Sequence, residues 1–397
     1  MLFQLMDTKL DCKGYYAEGE LTYDDELPPS LSCTWKYSSG LEDYKRIEYA
    51  NLYCGGQSID EVCPAHLKDR LAVHTAKLKA FLRSFMEAKI NAEEVCLYDM
   101  IPDRFLADYY DVKNRITEYV FDNYDRPPNY LFLRNLSVIV DKISNQSLNI
   151  DLSEMREHAH TVQGKNFIKK INTCKPVCDY NMFASKTGRL TTKKNSFPIL
   201  TMDKKYRSVL KPQNDWFLEL DFNAAELRTI LALGDEEQPA GDLHEWNVNH
   251  IWAGTKTREE AKKSIFAWLY NPSHQDEALS KYYNRTLLME KYYDGKEVIT
   301  PFGREIPADD HHAFNYLVQS TTADLTLKQL IRVSKLLVDC KSFISFTMHD
   351  SIVIDLDHEE RSLIPILVYT FMATDLGNYM VNASAGRDYG NMRGLEQ

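Results

Sequence analysis

The segment "FISFTMHDSIVID", residues 343–355, constrains the fold of this chain more than any other. Two runs rich in β-branched and aromatic residues flank His349, Asp350 and Ser351, so the pattern predicts two strands joined by a tight turn. Hairpin turns ordinarily carry Gly, Asn or Pro, and an imidazole followed by a carboxylate is unusual there. Two interpretations are open at this point: a turn capped by the side chains of Asp350 and Ser351, or an acidic group presented for chemistry.

A second acidic segment, "WFLELDFNAAELRTILAL" at residues 216–233, predicts a strand that runs directly into a helix. Asp221 lies where the strand ends, and Glu226 lies in the first helical turn. A carboxylate at the end of a buried strand costs free energy unless it is paired or binds a cation. Capping of the helix N-terminus by Asp221 is the simpler alternative.

A third segment, "TREEAKKSIFAWLYNP" at residues 257–272, predicts a helix that carries Arg258, Lys262, Phe266 and Tyr270 at intervals of four. Residues at this spacing share one face of a helix. Two cations followed by two aromatic rings suit a ligand with a polyphosphate end and a planar end. An exposed amphipathic helix with its own acidic residues as ion-pair partners is the alternative.

Composition indicates a soluble globular protein: 397 residues, 44% hydrophobic and 26% charged, enough for two or three domain-sized units. We see no apolar run of the ~20 residues needed to span a bilayer. The N-terminus lacks the pattern of a signal peptide. The eight cysteines are scattered, which favours reduced thiols and a cytoplasmic location, the host cytoplasm if the chain is viral.

Two groups of residues have the composition of a metal site without its usual spacing. Cys174 and Cys178 form a single C-x-x-x-C with no second pair, which is a weak indication of zinc. The segment 309–312, "DDHH", contains suitable ligands, but consecutive residues in a loop rarely converge on one ion.

The charge of the chain is unevenly distributed. The formal net charge is −11, yet residues 164–211 contain twelve Lys and Arg against two Asp, a local net of +10, which leaves −21 for the rest. A concentrated basic segment can follow a phosphate backbone even in an acidic protein, because counterion release is local. A solvated basic loop region is the alternative.

Along the chain, turns and short strand patterns fill residues 1–63, and helical periodicity begins at residue 64. Further helices are predicted at 103–123, 130–147 and 151–171, the last opening with a capping signal from Asp151 to Glu154. Short strands and loops follow to about 222, helices to about 290, and one long helix from about 315 to 338 precedes the hairpin.

Seven motifs, taken in order, resemble the polymerase domain of family A DNA polymerases, the bacterial DNA polymerase I family, in a compact, phage-like form without an exonuclease domain. They are "TGRL" at 187–190, "DFNAAELR" at 221–228, "GDLH" at 241–244, the Arg258-to-Tyr270 helix, "TPFGR" at 300–304, "AFNYLVQSTTAD" at 313–324 and "HDS" at 349–351. The resemblance is close over about 185–355 and loose over 64–170.

The resemblance implies an α+β fold of the right-hand type, with an antiparallel-sheet palm and helical thumb and fingers. Its expected divisions are an unassigned β-rich unit at 1–63, the thumb at 64–180, the palm at 181–233 and 301–397, and the fingers at 234–300. The unit at 1–63 is expected to be an interaction module or an exonuclease remnant. "MDTK" at 6–9 is similar to the D-x-E opening of proofreading exonucleases, but Lys9 stands where the second acid belongs.

The resemblance also assigns roles to individual residues. Asp221 and Asp350 are expected to be catalytic and to hold two Mg²⁺ ions together with the carbonyl of Phe222, and Mn²⁺ is expected to substitute. The expected dNTP-binding residues are Arg258, Lys262, His244, Phe266, Tyr270 and Glu226, with Glu226 closing the pocket against a 2′-hydroxyl. The expected DNA-binding residues are Arg189, Asn315, Gln319, His349, Lys193 and Lys194.

Four positions depart from the family pattern. Ser351 replaces the usual Glu after the catalytic Asp, so a third carboxylate is expected to be absent. Ala224 replaces a common Gln, Asn271 a common Gly and His311 a usual Arg. Shorter stretches between the motifs imply a trimmed fingers region.

The function implied is DNA synthesis for replication or repair: template-directed extension of a primer 3′-hydroxyl with dNTPs by two-metal phosphoryl transfer, without proofreading in cis. Primer–template DNA and dNTPs are the expected partners, with room for a separate exonuclease or processivity factor and no membrane. Two alternatives are open. A relative of single-subunit phage-type RNA polymerases would share both aspartates, but Glu226 argues against it. A non-catalytic nucleic-acid-binding module would be expected to have lost an acid or a cation.

Overall fold

The computed structural model describes residues 1–7, 13–24, 26–91, 95–271, 274 and 276–395. The chain divides into two compact units, Met1–Asp141 and Lys142–Gln397. Both combine helices with strands, which confirms the α+β class. The predicted division into thumb, palm and fingers stays a prediction.

The first unit joins a small antiparallel sheet, in the order β1-β2-β3, to long helices. Its strands are β1 (Gln4–Asp7), β2 (Lys13–Ala17), β3 (Glu20–Thr22), β4 (Cys33–Thr34) and β5 (Glu48–Tyr49). Its helices are α1 (Ala50–Tyr53), α2 (Ala65–Glu87), α3 (Asp103–Asn123) and α4 (Tyr130–Asn145), the last of which crosses the unit boundary. The predicted β-rich start and the helices near 64, 103–123 and 130–147 are confirmed.

Helices α2 and α3 pack together because each presents an apolar stripe at helical spacing. Leu67 and Leu71 of α2 are buried in one core with Val112, Ile116 and Val120 of α3.

In the same unit Cys96 takes part in a disulfide, so the expectation of reduced thiols throughout is wrong at this residue. The proposed remnant motif includes Lys9, which lies outside the described residues.

The predicted helix at 151–171 is wrong in its first half. Asp151 accepts a hydrogen bond from the Ser153 amide at 2.9 Å, but it caps a short 3₁₀ turn at 152–155. The α-helix starts at Val162, capped by Thr161. Gly164 permits a close approach between the start of this helix and the preceding loop, because a Cβ atom there would lie 2.0 Å from the carbonyl oxygen of His158. The capping pattern was genuine, but it belonged to a single turn.

The second unit contains the remaining elements. Its helices are α5 (Val162–Thr173), α6 (Ala225–Leu233), α7 (Leu243–His250), α8 (Arg258–Tyr270), α9 (Glu277–Tyr282), α10 (Arg285–Tyr292), α11 (Ala313–Leu336) and α12 (Ile364–Met372). Its strands are β6 (Asn149–Ile150), β7 (Tyr180–Asn181), β8 (Thr191–Thr192), β9 (Leu210–Lys211), β10 (Trp216–Phe222), β11 (Glu297–Ile299), β12 (Glu305–Pro307), β13 (Phe343–Met348), β14 (Ser351–Leu356), β15 (Ala373–Thr374), β16 (Gly377–Asn378), β17 (Val381–Gly386) and β18 (Arg393–Gly394).

The central feature of this unit is a five-stranded antiparallel sheet in the order β13-β14-β10-β17-β18. Strand β10 lies in the middle, where Phe217, Leu218 and Leu220 are buried. The predicted strand–helix unit at 216–233 and the hairpin at 343–355 are both confirmed, and they occupy adjacent places in the sheet.

Helices α6, α8 and α11 share an apolar core. Leu227 and Leu231 of α6 are buried with Trp268 of α8 and with Phe314 and Leu317 of α11. This core fixes α8 relative to the strand–helix unit that carries Asp221. No helix among the described residues is both long and apolar enough to cross a membrane.

Candidate active site

Antiparallel pairing brings the two sequence-predicted aspartates to the same end of the sheet. Asp221 near the end of β10 is the register partner of Ser351, the first residue of β14. Asp350 directly precedes Ser351, and its carbonyl accepts a 3.5 Å hydrogen bond from the Phe222 amide. The two acidic motifs therefore meet through the ladder between β10 and β14.

The hairpin turn is held by hydroxyl groups. His349 adopts a left-handed backbone conformation, with φ of 54°. Thr347 Oγ1 donates to the Ser351 carbonyl at 2.7 Å, and Ser351 Oγ donates to the Met348 carbonyl at 3.0 Å. Among the described residues, none is hydrogen-bonded to the Asp350 side chain. Ser351 therefore caps the turn, whereas the Asp350 carboxylate is left for another role.

The surroundings of both aspartates oppose their ionisation. Burial raises the pKa of Asp221 to about 7, and the negative charges of Glu219 and Asp350 add to this effect, while a hydrogen bond from Asn382 opposes it. Burial also raises the pKa of Asp350, partly offset by the positive charge of Arg189. Crowded carboxylates with raised pKa values are typical of sites that bind a cation or transfer a proton.

Glu219 is a further carboxylate of this site, and none of the seven sequence motifs includes it. It lies two residues before Asp221 on β10, so both side chains project from the same face of the sheet. Strand alternation alone could have identified it. Position 351 carries no carboxylate, as expected. A third carboxylate is nevertheless present, because Glu219 lies on β10, the strand that pairs with β14.

The predicted face of α8 exists as the spacing indicated. Ile265 and Trp268 are buried, whereas Phe266 and Tyr270 are 42% and 40% exposed. Their rings stack at 5.8 Å between centroids with an interplanar angle of 11°. The Lys262 ammonium lies 5.9 Å from the centroid of the Phe266 ring. This helix presents a flat aromatic surface next to a cation.

The other predicted phosphate-binding residues lie close to α8. Asp242 Oδ2 accepts a hydrogen bond from Arg258 Nη2 at 2.8 Å and another from Asn223 Nδ2 at 3.0 Å. His244 is buried beside them, and burial, together with the charges of Arg258 and Lys262, lowers its pKa to about 4 although Asp242 opposes the shift. Asp242 lies in the "GDLH" segment at 241–244, but nothing in the sequence indicates that it pairs with Arg258 on a separate helix.

Glu226 links α6, α8 and the loop before β8. Tyr270 Oη lies 2.5 Å from each carboxylate oxygen and shares its one proton between them, and Arg189 Nη2 donates to Oε1 at 2.7 Å. Glu226 is 9% exposed, and its burial raises the pKa of the carboxyl group, whereas the Tyr270 hydrogen bond opposes this. The carboxylate predicted to close the pocket against a 2′-hydroxyl is therefore held in place by Tyr270 and Arg189.

The backbone before Arg189 is shaped for a close contact. Gly188 has φ of 75°, and a Cβ atom there would lie 2.6 Å from Nη2 of Arg304. Arg304 is itself fixed by Asp324, which accepts hydrogen bonds at 2.6 and 3.0 Å. The left-handed backbone and this close approach both favour glycine at position 188.

The remaining predicted DNA-binding residues are spread over the unit. Asn315 and Gln319 lie one turn apart on α11 and are partly exposed, and among the described residues neither is hydrogen-bonded to the aspartate pair. His349 is exposed at the hairpin tip, where partial desolvation of its ring and the charges of Arg189 and Arg207 lower its pKa. Lys193 pairs with Asp179 at 2.8 Å, and Lys194 is exposed. Their binding roles stay predictions.

The donor set at the aspartate pair fits Mg²⁺. This ion commonly uses one or two protein carboxylates, with substrate phosphates and water as its other ligands. The described part of the chain contains no group of three or more His, Cys, Asp or Glu suited to a metal ion. Two carboxylates are within the number of protein ligands that this ion commonly uses.

The two other groups considered from sequence have different surroundings. Cys178 is fully buried, and its burial raises the pKa of the thiol to about 12. His312 Nδ1 lies 2.7 Å from Asp309 Oδ1 in an exposed loop. Burial in the core accounts for the position of Cys178, and pairing with Asp309 accounts for that of His312.

The chain is similar to two viral proteins, each named DNA polymerase. It is 25% identical to the protein of Mycobacterium phage D29 over 216 residues and 24% identical to that of Mycobacterium phage L5 over 224 residues. The matches cover 45% and 48% of this chain, but the chain spans only 35% and 37% of those relatives. No protein-family model matches the chain.

A solved structure shares the fold over nearly the whole chain. It is the POL domain of Pol1 from M. smegmatis, in a complex with a DNA primer-template and dNTP. The TM-score is 0.61 at 12% sequence identity, with 95% of this chain and 90% of that chain covered. At this identity the likeness shows the fold alone.

Proposed function

We propose that this chain is a template-directed DNA polymerase of the family A type that extends a primer 3′-hydroxyl with dNTPs. One observation carries the proposal: the β10–β14 ladder places Asp221 beside the turn that carries Asp350. The fold shared with a polymerase domain and the partial similarity to two phage DNA polymerases support it.

Within this proposal, the five-stranded sheet is the palm, α7 to α10 belong to the fingers, and the helices between residues 64 and 180 form the thumb. Asp221 and Asp350 hold Mg²⁺, with the Phe222 carbonyl as a further ligand. Bound Mg²⁺ would lower the pKa of the primer hydroxyl and neutralise charge on the triphosphate.

The protein side chains bind and orient the nucleotide. Arg258, Lys262 and His244 bind the triphosphate, and Arg258 exchanges its ion pair with Asp242 for phosphate oxygens. Phe266 and Tyr270 pack against the sugar and base. Glu226, held by Tyr270 and Arg189, closes the pocket at the sugar.

The DNA partner binds the basic residues of 164–211, including exposed Lys193 and Lys194, through its phosphates. Arg189, Asn315, Gln319 and His349 are proposed to lie nearer the primer terminus. A separate exonuclease or processivity factor stays a prediction that a pull-down with the full chain would address.

Primer extension with Mg²⁺ tests the proposal, with dNTPs in one reaction and rNTPs in another. Asp221→Asn and Asp350→Asn are each expected to abolish extension while leaving primer–template affinity within about threefold. The reason is that the basic residues proposed to bind the DNA phosphates lie in a different segment, 164–211. Extension with rNTPs alone would favour an RNA polymerase. DNA binding with no extension by the unaltered chain would favour a non-catalytic module, and retained extension by either variant would overturn the metal assignment.

A further inference from the structure

We propose that Glu219 is a positioning residue of this site, which holds the hairpin tip through Ser351 and strengthens cation binding by Asp221 and Asp350. This inference rests on the proposed function, since it assigns a role in the same metal site. Nothing in the motif pattern points to Glu219; its contacts in the folded sheet do.

The hydrogen bond from Ser351 links Glu219 to the turn. Ser351 is the register partner of Asp221, and its Oγ lies 3.2 Å from Oε1 of Glu219, the acid two residues earlier on β10. The same Oγ also lies 3.0 Å from the Met348 carbonyl inside the turn, so its single proton is shared between that carbonyl and Glu219. A shift of the Glu219 carboxylate would therefore be transmitted to the residue that follows Asp350.

Tyr389 fixes the carboxylate from its other side. Its hydroxyl donates to Oε1 of Glu219 at 3.0 Å, and the residue is only 2% exposed. The ring packs edge-on against Phe346 at 5.1 Å and Phe217 at 6.3 Å, and the Arg207 guanidinium lies 4.7 Å from its centroid. A phenol held this firmly leaves the carboxylate little freedom to swing away.

The charge of Glu219 has no local partner. In the part of the chain that the structure describes, no Lys, Arg or His forms an ion pair with it, and both of its hydrogen bonds come from neutral hydroxyls. A neutral amide could accept the same two bonds. A carboxylate beside two others instead adds mutual repulsion, which a bound cation relieves.

The mode of action is indirect. Glu219 acts through its contact with Ser351 and through its electrostatic field, with Asp221 and Asp350 as the ligands. One negative charge several ångströms from a divalent cation changes its affinity on the order of tenfold, even where water screens the interaction.

The test is Glu219→Gln in the full chain, which keeps the shape of the side chain and removes its charge. Binding of Mn²⁺ alone, measured from the electron paramagnetic resonance signal of the free ion, is expected to weaken about tenfold. The Mg²⁺ concentration for half-maximal primer extension should rise by a similar factor, while the rate at saturating Mg²⁺ falls less. Glu219→Asp should recover part of the Mn²⁺ affinity, and the exposed Glu237→Gln serves as the charge-matched control.

Tyr389→Phe keeps the experiment decisive if Glu219→Gln is poorly folded, because it frees the carboxylate without removing it. It should weaken Mn²⁺ binding by a smaller factor, while the circular dichroism spectrum at the assay temperature stays that of the folded chain even if the loss of the buried hydrogen bond lowers the unfolding midpoint. Unchanged Mn²⁺ affinity in both variants would overturn the role of Glu219, even if Asp221→Asn still abolishes extension and the proposed function stands. Failure of the unaltered chain to bind Mn²⁺ and to extend a primer would overturn both proposals.

Discussion

Replacing Glu226 by alanine should admit ribonucleotides, because this carboxylate is held where the sugar of the incoming nucleotide is proposed to lie. Tyr270 Oη lies 2.5 Å from both of its oxygens and Arg189 donates at 2.7 Å, so the group cannot rotate away without losing two donors. A 2′-hydroxyl must either clash with this carboxylate or displace a donor from it. Alanine removes both obstacles.

The size of the effect follows from those contacts. Displacing one donor from a buried carboxylate costs about 3 kcal/mol, since hydrogen bonds to charged groups are strong and the displaced donor is left unpaired. At about 1.4 kcal/mol per factor of ten, the ratio of rNTP to dNTP incorporation efficiency should rise on the order of 10²-fold. Extension with dNTPs should fall only modestly.

The same variant has a cost in stability, which must be measured separately. Alanine leaves Tyr270 Oη and Arg189 Nη2 without their acceptor, and losing hydrogen bonds to a buried carboxylate should lower the free energy of unfolding by about 2–4 kcal/mol. Arg189 keeps an electrostatic partner in Asp350, which places the expected value at the lower end of that range.

Steady-state kinetics of single-nucleotide incorporation on one template, with dNTP, rNTP and ddNTP, would measure the ratio directly. Phe266→Tyr provides the internal control: its ring is 42% exposed on the same face of α8 and does not contact the carboxylate by hydrogen bonding. It should ease ddNTP incorporation without admitting rNTPs. If Glu226→Ala discriminates against rNTPs as well as the unaltered chain does, the gate assignment is wrong and the RNA polymerase alternative must be reconsidered.

Three further predictions concern salt, pH and proofreading. Primer–template binding should weaken steeply with salt despite the acidic pI of about 5.5. Neutralising Lys193, Lys194, Lys204 and Lys205 together should flatten the slope of log affinity against log salt concentration by roughly one unit per lost phosphate contact. An unchanged slope would mean that the DNA phosphates bind outside residues 164–211. The pKa of His244 falls from its ordinary 6.5 to about 4 in the folded chain, so the unfolded state binds more protons between these values and stability should drop as pH falls through that window, by at most about 3 kcal/mol. His244→Gln should reduce this slope in urea unfolding measured at several pH values, and an equal slope would contradict the assignment. Homogeneous protein should not degrade a mismatched primer from its 3′ end, and metal-dependent, dNTP-suppressed degradation would count against this.

Local physics made several elements predictable from sequence. The α8 face followed from residues at intervals of four, because a helix returns to nearly the same direction in that interval. Strand β10 and the hairpin followed from apolar residues with β propensity, and their bounds were close to those observed. The helix predicted at 151–171 failed because Asp151 forms the same hydrogen bond at the start of a 3₁₀ turn as at the start of an α-helix.

By itself, the sequence determined which side chains carry the chemistry and which elements bear them, since these depend on residue type and short-range periodicity. The tertiary structure decided which of them meet. Asp221 and Ser351 became register partners through strand pairing between segments far apart in the chain. The bonds from Arg258 to Asp242 and from Tyr389 to Glu219 likewise join separate elements. No local pattern encodes such contacts, because they depend on how the sheet and its helices pack, and that packing is a property of the whole chain.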